Sequence, residues 1–227
     1  MSIPTPDRAT PDGPAPDRRT LIADAAIATV AAAGLRGLTH RAIDTAAGLP
    51  AGSTSYYFRT RTALIGACYA RIEERDLVDL DDLVVPGVEP ADLDAGDELA
   101  AAHGAERPRP PSRDEAAASL GTLLHHWLTA GRARQLARYE LSLEAARTPE
   151  LAAALHRTGL AARARAAAVV AALGAARPEE AGELLVAWTD GVLFDRLAGA
   201  PARTRPAPDP AELTALARRM LDGVLTP

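Results

Sequence analysis

Arginine side chains bracket one short segment of the chain, and they are the residues best suited to binding a charged partner. Arg36 precedes residues 39–58, Arg41 lies near their start, and Arg59 and Arg61 follow them. The segment between them carries several hydroxyl groups and a pair of adjacent tyrosines. Guanidinium, hydroxyl and phenol groups at both ends of one short unit suit the phosphates of a polyanion.

No catalytic or metal chemistry is visible in the sequence. An enzyme needs a nucleophile with its base, a paired acid, a glycine-rich phosphate loop or a metal cluster, and the chain shows none of these patterns. His125 and His126 are adjacent, so they diverge on a helix and make a poor chelating pair. Cys68 is the only cysteine, and it predicts a small buried apolar residue. We expect no enzyme activity, no metal and no cofactor.

The net charge of −5 conceals a sharp partition along the chain. Residues 18–71 hold seven Arg against Asp24 and Asp44, whereas residues 72–98 hold eleven acids against Arg75. A cationic module next to an anionic stretch is expected when only one end of a molecule meets a polyanion. Solvated helix faces would explain the charges alone about equally well.

Composition predicts that helices position these residues. The 227 residues include 52 Ala and no Lys, so every basic residue is Arg, and only 4% of the chain is aromatic. Alanine and arginine favour helix, and no segment shows a convincing strand pattern. The prediction is an all-α fold: an N-terminal three-helix unit containing a helix-turn-helix, followed by a C-terminal helical bundle.

Targeting signals are not apparent. The longest uninterrupted apolar run, residues 166–176, is too short to cross a bilayer. The first 17 residues contain five Pro and three Asp, unlike a secretory signal. We therefore expect a cytoplasmic protein with no membrane partner.

Capping residues and glycines divide the N-terminal part into four helices. The first begins at Asp17 and stops at Gly34, and Thr60 caps the fourth. Between them, two short helices, residues 39–47 and about 51–57, are joined at Gly48, which supplies the positive φ of a tight turn. This arrangement predicts a helix-turn-helix whose second helix can lie in a DNA major groove.

The predicted domain organisation follows the same punctuation. It comprises a disordered tail (1–16), a helix-turn-helix domain suited to DNA (17–62) and a C-terminal domain of about five or six further helices (63–227). An acidic, proline-broken linker with one short helix near 93–103 is predicted at 84–111. Ser112 and Glu115 predict a capping box that starts the bundle.

At this point the sequence resembles the TetR family of one-component bacterial transcriptional regulators. The resemblance covers about residues 18–72 and rests on Leu38-Thr39-His40-Arg41-Ala42-Ile43, Ala46-Ala47-Gly48-Leu49, Gly52-Ser53-Thr54-Ser55-Tyr56-Tyr57-Phe58 and Arg59-Thr60-Arg61 with Leu64. One departure is Asp44, where the family usually places a small residue between the helices.

The resemblance implies which residues contact DNA. Phosphates would be bound by Thr39, Tyr57 and Arg61, and Arg41 could reach a phosphate or a base. The small residues Ala51, Gly52, Ser53 and Ser55 would face the groove, while Phe58 would enter the core. Tyr56 either joins the DNA surface or packs in the core, because adjacent helical side chains point about 100° apart. With such small side chains, sequence readout would depend on Arg41, hydroxyl contacts, thymine methyls and DNA shape.

The resemblance also implies that residues 17–62 are the DNA-binding domain and residues 63–227 the ligand-binding and dimerisation domain. The homodimer would be formed by the last two long helices, and their apolar stripes support it. The predicted interface residues are Leu185, Trp188, Val192, Leu213 and Met220, with the chain's own core as the alternative. A mostly apolar effector pocket is predicted from Leu120, Leu124, His125, Trp127, Leu128, Tyr139, Leu143, Leu155 and Phe194, of which at most half are expected to touch a ligand.

These observations predict a sequence-specific DNA-binding regulator. It would be a ligand-responsive repressor that binds double-stranded DNA at a near-palindromic operator as a homodimer. The alternative is a helical adaptor that binds another protein through an amphipathic face. Salt distinguishes the two, because phosphate neutralisation makes binding strongly salt-dependent whereas an apolar interface is nearly indifferent.

Overall fold

The computed structural model describes residues 17–82 and 111–226, and every regular element within these ranges is a helix. The helices are α1 (Arg18–Gly37), α2 (His40–Ala46), α3 (Ser53–Tyr57), α4 (Arg61–Asp81), α5 (Arg113–Leu128), α6 (Arg132–Ala145), α7 (Pro149–Ala172), α8 (Pro178–Leu197) and α9 (Pro210–Leu225). The all-α prediction is confirmed. The predictions for the tail (1–16), for nearly all of the linker (84–111) and for its short helix lie outside the described residues.

Several predicted caps act through their side chains, whereas Asp17 lies at the N-cap position of α1 without a side-chain cap bond. Thr39, Thr60 and Ser112 each accept a hydrogen bond from the backbone amide three residues on, at 3.0–3.2 Å. Glu115 returns the bond to the Ser112 amide at 2.7 Å, which completes the predicted capping box. Asp209 caps α9 in the same way at 2.8 Å. These side chains satisfy amides that have no partner inside the helix.

Gly34 interrupts α1 where the sequence predicts a stop. Its φ of 63° and ψ of −175° lie outside the helical region, and a short helical stretch then continues to Gly37. Because an L side chain is strained at such a φ, glycine sets the bend that directs the chain into α2.

The N-terminal helices share a core with the C-terminal half. Ile22, Val30, Ile43 and Leu64 are fully buried, and they belong to a cluster that also contains Leu141 of α6. The hydroxyl of Tyr69 on α4 donates to the Leu141 carbonyl. The predicted domain boundary between residues 62 and 63 lies inside α4, and the apolar core continues across it.

One described helix, α1, is long and apolar enough to cross a membrane by length and composition alone. In the fold, however, Ile22, Ala26 and Val30 lie in the core cluster, and α1 packs against α4 and α6. One face of α1 is therefore packed against the protein's own core.

The C-terminal helices pack in two main pairs, α5 with α9 and α7 with α8. Glycine permits the close approach in the second pair, because a Cβ on Gly182 would lie 2.6–2.8 Å from backbone atoms of Ala167. The helices surround two further apolar clusters, one centred on Leu185, Ala217 and Leu221 and the other on Leu124 and Leu193.

Candidate nucleic-acid interface

The helix-turn-helix forms as the sequence predicts. Gly48 takes a φ of 64° between α2 and α3, and Gly52 takes a φ of 91° just before α3. Ile43 and Phe58 are buried in the core cluster, and Leu49 packs against it. These contacts fix α2 on the body of the protein and leave the outer side of α3 facing solvent.

The small residues predicted to face the groove lie on the outer surface of α3 and of the turn just before it. Ala51, Gly52 and Ser55 are exposed, and Ser53 is half-buried with its hydroxyl donating to the Pro50 carbonyl at 2.7 Å. Small side chains allow close approach of the backbone to a ligand. The Ser53 hydroxyl, with its proton engaged, remains available as an acceptor.

The two tyrosines lie in different environments. Tyr56 is 79% exposed, which excludes the core alternative, whereas Tyr57 is half-buried. Their rings meet edge to face with centroids 5.1 Å apart. Phe58 is buried, in agreement with the role that the resemblance implies.

Arginines at the start of α1 also border this surface, and the sequence analysis missed them. Arg18 helps to line a concavity of about 460 Å³ together with Leu49, Pro50, Gly52, Ser53, Tyr56 and Tyr57. Arg19 lies over the Phe58 ring at 5.1 Å and over the Tyr57 ring at 6.0 Å. Two adjacent arginines after Asp17 are visible in the sequence as a local positive charge. Nothing in their spacing indicates that α1 begins beside α3.

The arginines of the bracketing set differ in what they contact. All four are exposed, but only Arg61 makes the backbone contacts described next. Arg61, which the resemblance assigns to a phosphate, donates from Nη1 to the Leu38 carbonyl at 2.5 Å and from Nη2 to the Leu35 carbonyl at 2.6 Å. Its guanidinium therefore satisfies carbonyls at the end of α1 and ties that end to α4.

Replacing Arg61 by Ala is expected to lower the free energy of unfolding by about 1.5 kcal/mol, because two charge-assisted hydrogen bonds to backbone carbonyls are lost at an exposed site. Urea unfolding followed by circular dichroism measures the change. Arg59→Ala, at an exposed neighbouring position, is the matched control and should leave stability within about 0.5 kcal/mol. Equal stability of the two variants would show that the Arg61 contacts contribute nothing.

Two side chains of α2 reach the ends of α3. Asp44 is buried and accepts from the Gly52 amide and the Thr54 amide at 2.7 Å, and from the Thr54 hydroxyl at 2.6 Å. His40 Nε2 lies 2.8 Å from the Phe58 carbonyl, which can only accept, so this nitrogen donates. The departure from the family pattern at Asp44 thus places a carboxylate against α3.

The residues predicted for an effector pocket are only partly brought together. Leu124, Trp127 and Leu128 share one apolar cluster, and Leu120 and Tyr139 pack against it. Tyr139 and Phe194 meet edge to face with centroids 5.4 Å apart, and His125 is half-buried.

The other two predicted pocket residues lie elsewhere. Leu143 is 55% exposed, and Leu155 packs against the cluster that supports the N-terminal helices. A groove of about 380 Å³ opens instead between α4 and α5, and it contains none of the predicted pocket residues. It is lined by Asp79, Asp82, Ala118, Ser119, Thr122, Leu123 and His126. Its α5 residues neighbour predicted ones in sequence but lie on an adjacent helix face.

A charged network joins α4 to the bundle. Asp76 and Asp79 on α4 pair with Arg134 on α6, and Asp79 also accepts from the Trp127 indole at 2.7 Å. Gln135 on α6 donates to Asp76 at 3.0 Å. The sequence indicates an acidic stretch here, and the i, i+3 spacing of the two aspartates places both on one helix face, but their partners on α6 are not apparent from it.

Extension of the network reaches α8. Arg138 donates to Gln135 at 2.7 Å and to the Asp190 carboxylate at 2.7 Å, and the Tyr139 hydroxyl donates to the Asp190 carbonyl at 3.0 Å. Four helices are therefore linked by half-buried polar contacts around Trp127 and Tyr139.

Burial raises the pKa of Asp76 to about 6, although Arg134 and Arg138 lower it. The folded state then holds a proton between about pH 4 and pH 6, where the unfolded carboxyl has lost it, so this group makes unfolding easier as pH rises. Asp76→Asn removes this titration. The unfolding free energy of the wild type should therefore fall by roughly 2 to 3 kcal/mol relative to that of Asp76→Asn between about pH 4 and pH 6. Urea unfolding at stepped pH measures it. A difference between the two proteins that does not change with pH would contradict the raised pKa.

The described ranges contain no group of three or more His, Cys, Asp or Glu side chains placed to hold a metal ion. Cys68 is buried as predicted, and burial raises the pKa of its thiol to about 12. The expectations of no metal and no cofactor remain predictions.

Three of the five predicted dimer residues are enclosed by their own chain. Leu185, Leu213 and Met220 are buried among α5, α8 and α9, so the core alternative holds for them in this chain. Val192 is half-buried, and Trp188 is 38% exposed. The reason is that α9 buries its single apolar stripe against α5, which leaves little of it for a partner.

Comparison with known proteins identifies the family. A family model described as "Tetracyclin repressor-like, C-terminal domain" matches residues 111–227. No curated protein matches the chain.

Solved structures agree over nearly the whole chain. The multidrug binding protein EbrR, crystallised with imidazole, is 26% identical and covers 94% of this chain and 97% of its own, with a TM-score of 0.61. A TetR-family member from Streptomyces coelicolor A3 is 28% identical and covers 93% and 100%, with a TM-score of 0.61. A transcriptional regulator from Rhodococcus sp. Rha1, 20% identical with 92% and 96% covered, shares the fold at a TM-score of 0.70. Because the family model spans more than half of the residues, the chain belongs to the TetR family of DNA-binding transcriptional regulators.

Proposed function

We propose that this protein is a ligand-responsive repressor that binds a near-palindromic operator as a homodimer. The observation that carries the proposal is the solvent-facing side of α3, where small side chains lie beside Tyr56 and the exposed Arg41. A major groove admits such a helix, and arginines beside it bind the flanking phosphates. Because its ligand is DNA, we expect the protein in the cytoplasm, acting as a regulator and not as an enzyme.

The DNA contacts that we propose follow this surface. Ala51, Gly52, Ser53 and Ser55 approach base edges. The phosphates are bound from Thr39, Tyr57 and Arg41, with Arg18 added from the start of α1. Tyr56 projects beside them, and Arg61 acts chiefly by holding the end of α1 in place.

Dimerisation is proposed through a revised surface, the α8 face, which consists of Leu184, Ala187, Trp188 and Gly191. All four residues are exposed and lie at helical spacing along one side of α8. The Trp188 ring rests against α9, where a Cβ on Gly223 would lie 2.8 Å from it. A single α3 covers too little DNA for specific recognition, whereas a two-fold dimer matches two half-sites.

The effector is proposed to bind in the C-terminal half, near Trp127, Tyr139 and Phe194. Structures of EbrR are described as complexes with ethidium, malachite green and proflavin, and EbrR is 25–27% identical to this chain. Aromatic side chains with a few polar groups suit small aromatic molecules. We therefore propose an aromatic effector for this protein as well.

The route from effector to DNA is proposed to pass through α4. This helix begins immediately after the helix-turn-helix, and near its other end Asp76 and Asp79 pair with Arg134. A ligand that favours one packing of α5 and α6 against α4 would change the distance between the two helix-turn-helix units of the dimer. Operator affinity then falls by the ratio of the ligand's affinities for the two states.

The test is to sequence genomic fragments captured by the purified protein at about 150 mM salt, where non-specific binding is weak. We expect a few sites sharing an inverted repeat, and affinity that falls linearly on a plot of log K against log salt. Capture of no fragment above background by a folded dimer would contradict DNA-binding repression. Binding to another protein with an affinity that does not depend on salt would favour the adaptor alternative.

A further inference from the structure

The third helix is too short to hold its own conformation. It spans only Ser53–Tyr57, and its N-cap, Gly52, provides no side-chain cap. Fixing the first turn of a helix costs more than its few hydrogen bonds return, so isolated helices of this length are unstable in water. Contacts from elsewhere must therefore keep α3 folded and oriented.

Asp44 supplies such contacts at the start of α3. Both carboxylate oxygens are used: Oδ2 accepts from the Gly52 amide, and Oδ1 accepts from the amide and hydroxyl of Thr54. Burial raises the pKa of Asp44, but the bonds from Thr54 and Gly52 outweigh this effect, and the pKa lies below its ordinary value. The carboxylate is therefore charged at neutral pH and takes the place of a helix cap.

His40 supplies a contact at the other end. It lies one helical turn before Asp44 on α2, and its Nε2 donates to the carbonyl of Phe58, the C-cap of α3. Two residues at i and i+4 share one face of a helix. Side chains from a single face of α2 therefore form hydrogen bonds with both ends of α3.

We propose that Asp44 and His40 are positioning residues that hold the five-residue recognition helix in its DNA-reading orientation. Neither is placed to read bases, because their partners are backbone groups and the buried Thr54 hydroxyl. They act by removing the cost of ordering α3 when DNA binds. The inference rests on the proposed function for its DNA readout, but not for its exchange readout.

The negative charge of Asp44 lets the direction of the change in DNA affinity distinguish positioning from simple electrostatics. A carboxylate near DNA repels phosphate, so Asp44→Ala should tighten binding if Asp44 did nothing else. Positioning predicts the opposite. We expect Asp44→Ala to weaken binding to a duplex carrying the captured inverted repeat by about tenfold or more, since bonds to a charged acceptor are lost. The slope of log K against log salt should not change, because the phosphate contacts remain.

Thr54 offers a matched pair at a buried position. Thr54→Val keeps the shape but removes the hydroxyl bond to Asp44, and it should weaken DNA binding by about threefold to tenfold. Thr54→Ser keeps the hydroxyl and should bind within about twofold of wild type. Hydrogen exchange measured by NMR should show faster exchange of the Tyr56 and Phe58 amides in Thr54→Val, with the Ile65 and Leu141 amides unchanged.

The results separate failure of this inference from failure of the proposed function. If wild type captures no specific DNA, repression is contradicted, and the exchange rates alone decide on positioning. Unchanged or tighter DNA binding by Asp44→Ala, with unchanged α3 exchange, overturns the inference. If Asp44→Ala does not fold, Thr54→Val decides: wild-type affinity and α3 exchange in that variant overturn the inference as well.

Discussion

Replacing Leu184 by Arg is expected to disrupt the proposed dimer and to weaken specific DNA binding strongly. Leu184 is 41% exposed on the α8 face, beside Trp188. In a two-fold interface the same face meets its own copy, so one substitution introduces two guanidinium groups into one apolar contact. Desolvating unpaired charges costs several kcal/mol, which exceeds what a small interface can lose. Sedimentation equilibrium should report the monomer mass at micromolar concentration.

DNA binding by the Leu184→Arg monomer should be at least about 100-fold weaker at the captured site, because only one half-site is engaged at a time. Leu143→Arg is the matched control, since Leu143 is also a half-exposed leucine but lies on α6. It should remain a dimer with wild-type affinity. If Leu184→Arg stays dimeric and Leu143→Arg does not, the interface lies on another face. Thermal unfolding of both variants shows whether either substitution acts through folding.

Local signals explain why the N-terminal unit was predictable. Thr39 and Thr60 cap helices through their own side chains, and Gly48 takes a left-handed φ that few other residues adopt. Each of these features depends on residues three or four positions apart. They therefore appear in the sequence directly, and the bends between α1, α2 and α3 follow from them.

The exposed face of α8 could not be predicted in the same way. Apolar residues occur on several sides of this helix, including Leu184, Leu185, Trp188 and Leu193. Periodicity therefore does not identify which side faces the chain's own core. In the structure Leu185 and Leu193 are buried and Leu184 and Trp188 are not. The packing of α5, α7 and α9 against α8 decides this, and that packing is set by residues far away in sequence.

Long-range polar contacts could not be predicted from the sequence for a related reason. Asp44 departs from the family pattern, and without the fold its acceptors could not be matched to the Gly52 and Thr54 amides. Asp76 likewise depends on Arg134, 58 positions later in the sequence. Both cases join residues whose proximity is produced by packing and not by helical spacing.

Gly121→Ala is expected to destabilise the fold by about 3 kcal/mol or more, at the upper end for overpacking. The Cβ added at Gly121 would lie 2.5 Å from the Thr214 hydroxyl oxygen, 2.7 Å from its Cα and 2.8 Å from its amide nitrogen. Two of these atoms are backbone, so no rotamer change relieves the clash and α9 must move away from α5. Differential scanning calorimetry and urea unfolding measure the loss.

Gly66→Ala is the matched control for this prediction, because it makes the same chemical change inside another helix. Nothing lies within 4 Å of the added Cβ there. Alanine favours helix over glycine by roughly 0.5–1 kcal/mol, so Gly66→Ala should stabilise the protein by about that amount. The two variants should therefore differ in sign. Stabilisation by both would mean that α5 and α9 are not in close contact, and the core beneath the proposed dimer face would have to be reassigned.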